Sequence, residues 1–321
     1  MDEREAGEGR TTGRLARQPA DFPARSWRRI LGRVWLGIGR DHLSIIAAGV
    51  AFFGTLAIFP AIAAVIALYG LVADPAQVSE SLRAARPLLP ADVFAMIEGQ
   101  VAALVDARTS KLGLASLVSL ALALWSARAG VTALMEGLNV VYRESDTRSL
   151  VVQYLISLAL TLMVMAVAVA ALLAVVAVPA ILHFADLGPL GSLLAQVTPL
   201  LILGVAVVFA IGALYRYGPH RALARRRWVT VGALLATLGW LAVSLALSVY
   251  VARFADFNQT YGSLGAVVGL LFWLYASVFV VLLGAELNAE LELQTERDTT
   301  TGPAKPLGER GAYVADHVAP T

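Results

Sequence analysis

Residues 261–292 read YGSLGAVVGLLFWLYASVFVVLLGAELNAELE. No charge falls in the 29 residues between Asp256 and Glu286, and a helix needs only roughly 20 apolar residues to cross the hydrocarbon core. Four more charge-free windows of that kind lie upstream: 31 residues after His42, 37 after Arg148, 29 after Asp186 and 25 after Arg227. A sixth run, Leu112 to Ala127, has 16 residues before Arg128, and its apolar pattern resumes through Val131, Leu134, Met135 and Leu138. The composition agrees: 58% hydrophobic, 15% charged and a mean hydropathy of +0.72, against roughly 45–50% and about 25% in soluble domains. The expected fold is an all-α integral membrane protein, a six-transmembrane-helix bundle over 41–293. Its spans fall at about 43–73, 112–142, 149–183, 190–215, 228–252 and 261–287. The absence of Cys excludes disulfides and thiolate chemistry.

Residues 1–25 mix charges of both signs with Gly, Thr and Pro, lack the apolar core of a signal peptide, and read as a disordered cytoplasmic tail. Over 26–40, Trp27, Ile30, Leu31, Val34, Trp35 and Ile38 share a helical face while Arg28, Arg29, Arg33 and Arg40 lie off it. This predicts a basic amphipathic helix on an anionic leaflet, the alternative being a cytosolic extension of the first span. With six spans, one side of the membrane receives 20 Lys and Arg and the other 5, which places both termini in the cytoplasm. The external segment Asp74 to Lys111 carries two short amphipathic patterns separated by Pro87 and Pro90, expected as helices against the outer membrane surface. The stretch 294–321 reads as a second disordered tail.

Polar residues inside apolar helices are the candidate site. In 125–143, WSARAGVTALMEGLNVVYR, the residues Trp125, Arg128, Thr132, Glu136, Asn139 and Arg143 recur every three or four positions and form one stripe. An Arg near the bilayer centre is costly, so Arg128 is expected to face the bundle and contact Glu136, Glu286 or an anionic head group. The alternative is that the helix emerges near Ala127 and the stripe is its solvated face. Glu286 and Glu290, at i, i+4 near a helix C-terminus where the macrodipole disfavours anions, call for cationic partners from Arg128, Arg143 or Arg225 to Arg227, unless they form a plain solvated end. Gly262, Gly265 and Gly269 offer a close-packing face and Pro60 a kink. His42, His183, His220 and His317 have no metal-ligand spacing, and no hydrolase or phosphate-loop motif occurs. No metal, cofactor, catalytic residue or nucleic-acid partner is expected.

Four runs in order, DHLSIIAAGVAFFGTLAIFP, LWSARAGVTALMEGLNVVYRE, LYRYGPHR and the 261–292 stretch, resemble successive signatures of the YihY/BrkB family of bacterial inner-membrane proteins. The resemblance covers roughly Trp27 to Leu293 and implies six spans with cytoplasmic termini. It also implies family-level features at Asp41, Pro60, Trp125, Asn139, Tyr142, Tyr261, Gly262, Trp273, Gly284, Glu286 and Asn288. Family members once carried a ribonuclease label, which these residues do not support. Two functions are consistent with this reading: non-enzymatic transport or handling of an anionic lipid or envelope precursor, or a membrane scaffold for envelope-assembly proteins. An intramembrane enzyme ranks last.

Overall fold

The computed structural model describes residues 13–72, 111–184, 188–254 and 258–320. The expected helices of the external segment, between 73 and 110, lie outside the described residues. After a 3-10 turn at Pro19–Asp21 come α1 (Ala24–Arg40), α2 (Leu43–Val72), α3 (Lys111–Val141), α4 (Leu150–Phe184), α5 (Gly188–Tyr217), α6 (Arg226–Phe254), α7 (Asn258–Glu292) and the short α8 (Tyr313–Asp316). Among the described residues no strand forms; Ala224 and Thr300 make an isolated antiparallel bridge. Among the described residues four helical stretches, Leu150–Val167, Val197–Tyr217, Arg226–Tyr250 and Val267–Glu292, are long and apolar enough to cross a membrane, and a bent pair, α1 with Leu43–Ala57, would make a fifth.

The first sharp break falls between α1 and α2. His42 adopts a left-handed φ of 50°, its N–H bonds back to Gly39 O, and α2 leaves at 60° to α1. Pro60 lies within α2, its side chain outside the description. From this break α1 runs across the end of the bundle, packed on α7; α2 packs on α3 and α7, and α7 also on α6.

Close approach in the core comes from small residues. Gly232 of α6 and Gly284 of α7 lie so near one another that a Cβ on either would strike the other's carbonyl oxygen. Asn288 clamps the same contact: its Oδ1 accepts from Gly232 N–H at 2.8 Å and its Nδ2 donates to Val229 O at 3.2 Å. The expected Gly face behaves differently: a Cβ at Gly269 would meet Leu247 only at ordinary van der Waals distance, and the side-chain surroundings of Gly262 and Gly265 lie outside the description.

The largest departure from the sequence reading concerns the chain ends. Far from being a loose tail, residues 294–320 fold over the end of the bundle. Thr295 Oγ1 donates to Arg14 O and Ala16 O, Arg225 N–H to Thr299 O, Ala222 N–H to Gly311 O, and Ala319 N–H to Leu293 O. Arg310, 5% exposed, donates to the carbonyls of Lys305, Ala315 and Glu296. The N-terminal segment is likewise packed from residue 13 onward: Ala16 and Phe22 join Ile30, Val34, Trp228, Leu287 and Leu291 in a second core, and Phe22 meets Trp228 edge-on at 6.0 Å. Composition misled because the tail's polar groups bond to one another and to loop backbone, which no periodicity reveals. We call this region the terminal end.

Candidate functional site

The last turns of α7 carry Glu286, Glu290 and Glu292, none more than 1% exposed. Such burial is tolerable for carboxylates only with cationic partners, and three separate elements supply them. From α1, Arg33 donates to Glu290 and Arg40 to Glu286 at 3.1 Å and to Asp41 at 2.7 Å. The order is antiparallel, since Arg33 precedes Arg40 whereas its acid follows; between them Gly37 leaves the space that the Glu286 side chain fills. Arg143, just past α3 with a left-handed φ of 58°, reaches Glu290 Oε1 at 3.1 Å. Arg221, in the loop after α5, meets Glu292 Oε2 at 2.6 Å and lies 4.7 Å above the Tyr142 ring; Thr299 of the tail donates to the same oxygen. Burial works against the charge of Arg221, but Glu292 more than offsets it and holds the guanidinium above its ordinary value. One acceptor is left over: Glu286 Oε2 is buried without a hydrogen-bond partner.

The expected stripe on α3 is divided among different neighbours. Its 18 steps cover about 27 Å of helix, longer than a single contact zone. Arg128 turns toward α4, where Nη1 donates to Thr132 at 3.3 Å and to Ser157 at 3.2 Å and the guanidinium stacks 4.5 Å from the Tyr154 ring centre. Its Nε is buried without a partner, and among the described residues no carboxylate pairs with it. The expected contacts with Glu136 and Glu286 are therefore not made: Glu136 is exposed, and Glu286 belongs to Arg40. Trp125 is 61% exposed. Asn139 is buried and structural, accepting from His220 N–H at 2.7 Å and donating to Asp146 at 3.5 Å, which ties α3 to the loop after α5. Of the candidates for the α7 acids only Arg143 serves; Arg225 donates to Thr300 O, and Arg226 and Arg227 are exposed.

The chain therefore holds two differently built Arg environments, and comparison with known proteins gives them a setting. The family model described as virulence factor BrkB matches residues 34–307, most of the chain. This chain belongs to the BrkB family. BrkB-family similarity extends to the ribonuclease-like protein YfkH of Bacillus subtilis, 32% identical over 76% of this chain and 88% of the relative. A UPF0761 membrane protein of Tolumonas auensis is 27% identical over 82% of this chain and 85% of its own length. Another, from Rhodospirillum centenum, is 30% identical over 56% of this chain and 39% of that protein. No solved structure matches. The BrkB resemblance and the apolar helices together make this a membrane protein.

Several of the BrkB-like positions read from sequence have definite places. Asp41 and Glu286 flank Arg40, Tyr142 lies under Arg221, Asn288 and Gly284 form the α6–α7 contact, and Trp273 Nε1 donates to Ser244 at 3.1 Å. Tyr261 and Gly262 begin α7, with side-chain surroundings outside the description. Sequence reasoning missed Arg33, Arg40, Arg221, Tyr154 and Ser157. A signal existed for the first two: they stand seven residues, two helical turns, apart on α1 and so share a face.

Proposed function

We propose that this BrkB-family chain is a six-span protein of the bacterial inner membrane, with both termini cytoplasmic, that moves or holds an anionic lipid or envelope precursor without catalysing a covalent reaction. The observation that carries the reading is Arg128. It stands about 20 Å along α3 from Val141, among the described residues with neutral partners only, stacked on Tyr154 and bonded to two hydroxyls. A guanidinium so placed attracts a phosphate or carboxylate, whose oxygens match its paired N–H donors. The flanking Trp125, Leu122, Val151 and Leu155 are all more than half exposed, an apolar border suited to acyl chains. The Lys and Arg asymmetry and the meeting of both chain ends at one end of the bundle support this topology, since ends on one side go with an even number of crossings.

The test is reconstitution of the purified chain in liposomes containing fluorescent phosphatidylglycerol, followed by lipid translocation. Arg128→Ala should abolish the protein-dependent rate, and Arg128→Lys should retain part of it. Equal rates in all three forms would remove Arg128 from the mechanism, and cleavage of RNA by the same preparation would overturn the non-enzymatic reading. Topology is checked in the naturally Cys-free chain: Ser79→Cys should react with an impermeant thiol reagent from outside, and Ala304→Cys only after permeabilisation.

A scaffold for envelope-assembly proteins is the second reading, drawn from the folded tail. Residues 301–309 are exposed, yet they are anchored at each end by buried Thr300 and Arg310. Lost translocation in every preparation, with envelope proteins retained by the wild type and not after replacement of 301–309, would favour it.

A further inference from the structure

The arginines of α1 fall into two sets. Arg33 and Arg40 pair with the buried acids of α7, Arg40 with its side chain still 45% exposed, whereas Arg25, Arg28 and Arg29 are exposed and pair with no carboxylate among the described residues. The inner face of the helix, Ser26, Ile30, Val34 and Gly37, is packed on the bundle. Its outer face continues past the three arginines into Leu31, Trp35 and Leu36, which are 53%, 75% and 69% exposed. On the outer face, then, cations stand in the N-terminal half and large apolar groups in the half nearer α2. The first turn of α6 adds Arg226 and Arg227, both exposed, beside Trp228, which lies in one core with Phe22 and Ile30.

We infer that the outer face of α1 is a binding surface for an anionic phospholipid leaflet, with Arg25, Arg28 and Arg29 engaging head-group phosphates while Trp35, Leu36 and Leu31 enter the acyl boundary. Three observations select this occupant over a protein partner. Opposite charge is needed along one half of the face and apolar depth along the other, which is the profile of a membrane interface read obliquely. Trp at the boundary is in its preferred setting. The helix also ends at the 60° bend from which α2 departs, so its C-terminal half lies nearest the apolar helices. The surface is separate from the Arg128 seam, and it gives Arg33 and Arg40 a second consequence: the leaflet-bound helix is also the one that closes over Glu286 and Glu290.

Two measurements on the full chain in nanodiscs of phosphatidylglycerol and phosphatidylcholine test this. Spin labels at Leu36→Cys and, as a water-exposed reference, Ala304→Cys are read by power saturation. The label at position 36 should collide with dissolved oxygen and be shielded from an aqueous nickel chelate. Free access of the chelate to it overturns the proposal, as does shielding from both reagents, the mark of a protein partner or second copy. Bound phosphatidylglycerol is then counted by native mass spectrometry in wild type, Arg128→Ala and the triple variant Arg25→Gln, Arg28→Gln, Arg29→Gln. With each surface arginine contributing as polybasic segments do, the triple variant should lose about 100-fold in affinity for the anionic lipid, while Arg128→Ala keeps the α1-bound lipid. Unchanged retention in the triple variant overturns the assignment, whatever Arg128→Ala does to translocation. The substituted side chains are exposed, and an unchanged unfolding temperature verifies that the fold is intact.

Discussion

The terminal end and the Arg128 seam present the same side chain in opposite circumstances. At the terminal end Arg33, Arg40, Arg143 and Arg221 face Glu286, Glu290 and Glu292, whose carboxylates are buried while Arg40 stays partly open to solvent. In the seam Arg128 has two hydroxyls and a ring. A buried ion pair is a weak source of net stability, yet it fixes geometry, because removing one partner strands the other charge. A cation with only neutral neighbours keeps its capacity to take an anion. The first region reads as a lock and the second as a site.

The comparison breaks most readily at Glu290, which three arginines approach. Glu290→Ala should cost about 3–5 kcal/mol, seen as a large fall in the detergent unfolding temperature; a fall of a degree or two would show that the terminal end is not locked by charge. Gly284→Ala comes next. Its Cβ would meet Tyr215 Oη at 2.6 Å and Ala236 Cβ at 3.0 Å, so overpacking should cost about 1–3 kcal/mol, and a neutral result would mean that α6 and α7 slide apart freely. Arg128→Ala sharpens the contrast from the other side: with bonds to neutral partners lost but no ion pair broken, stability should drop by about 2 kcal/mol while translocation disappears. A stability loss matching that of Glu290→Ala would make Arg128 structural.

The smallest effect concerns the tail. Burial raises the Asp316 carboxyl, but backbone N–H groups of Arg310, Gly308, Ala312 and Gly311 outweigh it and hold the carboxyl below its ordinary value. The stability this lends is therefore complete above the ordinary Asp range and is lost as pH falls through the lowered value. Limited proteolysis should cut the tail faster as pH drops below about 4, and Asp316→Asn should be cut faster at neutral pH. Equal cutting rates for variant and wild type would show that the turn holds without the charge.

Helices were legible because an apolar run longer than the bilayer is thick has few other ways to satisfy its backbone. The long windows after His42, Arg148, Asp186, Arg227 and Asp256 correspond to α2, α4, α5, α6 and α7. So was the choice at Glu286 and Glu290 between cationic partners and a solvated end, since helix-end carboxylates oppose the macrodipole. The identity of most of those cations was not. Arg33 and Arg40 lie about 250 positions upstream of their partners, and local periodicity carries no information across such a distance. The stripe from Trp125 to Arg143 likewise said nothing of what each residue would meet: Arg143 falls past the end of α3, and Arg128 and Asn139 turn to different neighbours.

Composition and charge spacing by themselves determined that this is a helical membrane protein, where its apolar segments lie, and that its last helix ends in acids. Those are properties of single segments, set by hydropathy and helical period. Only the tertiary structure decided that α1 divides its arginines between the bundle and the outside, that Arg128 rests on Tyr154 rather than on an acid, and that the polar tail folds over the bundle end. Each of these depends on which distant backbone or side chain supplies a partner. A charge or a free carbonyl specifies in the sequence that it must be satisfied, and the packing of distant elements chooses by what.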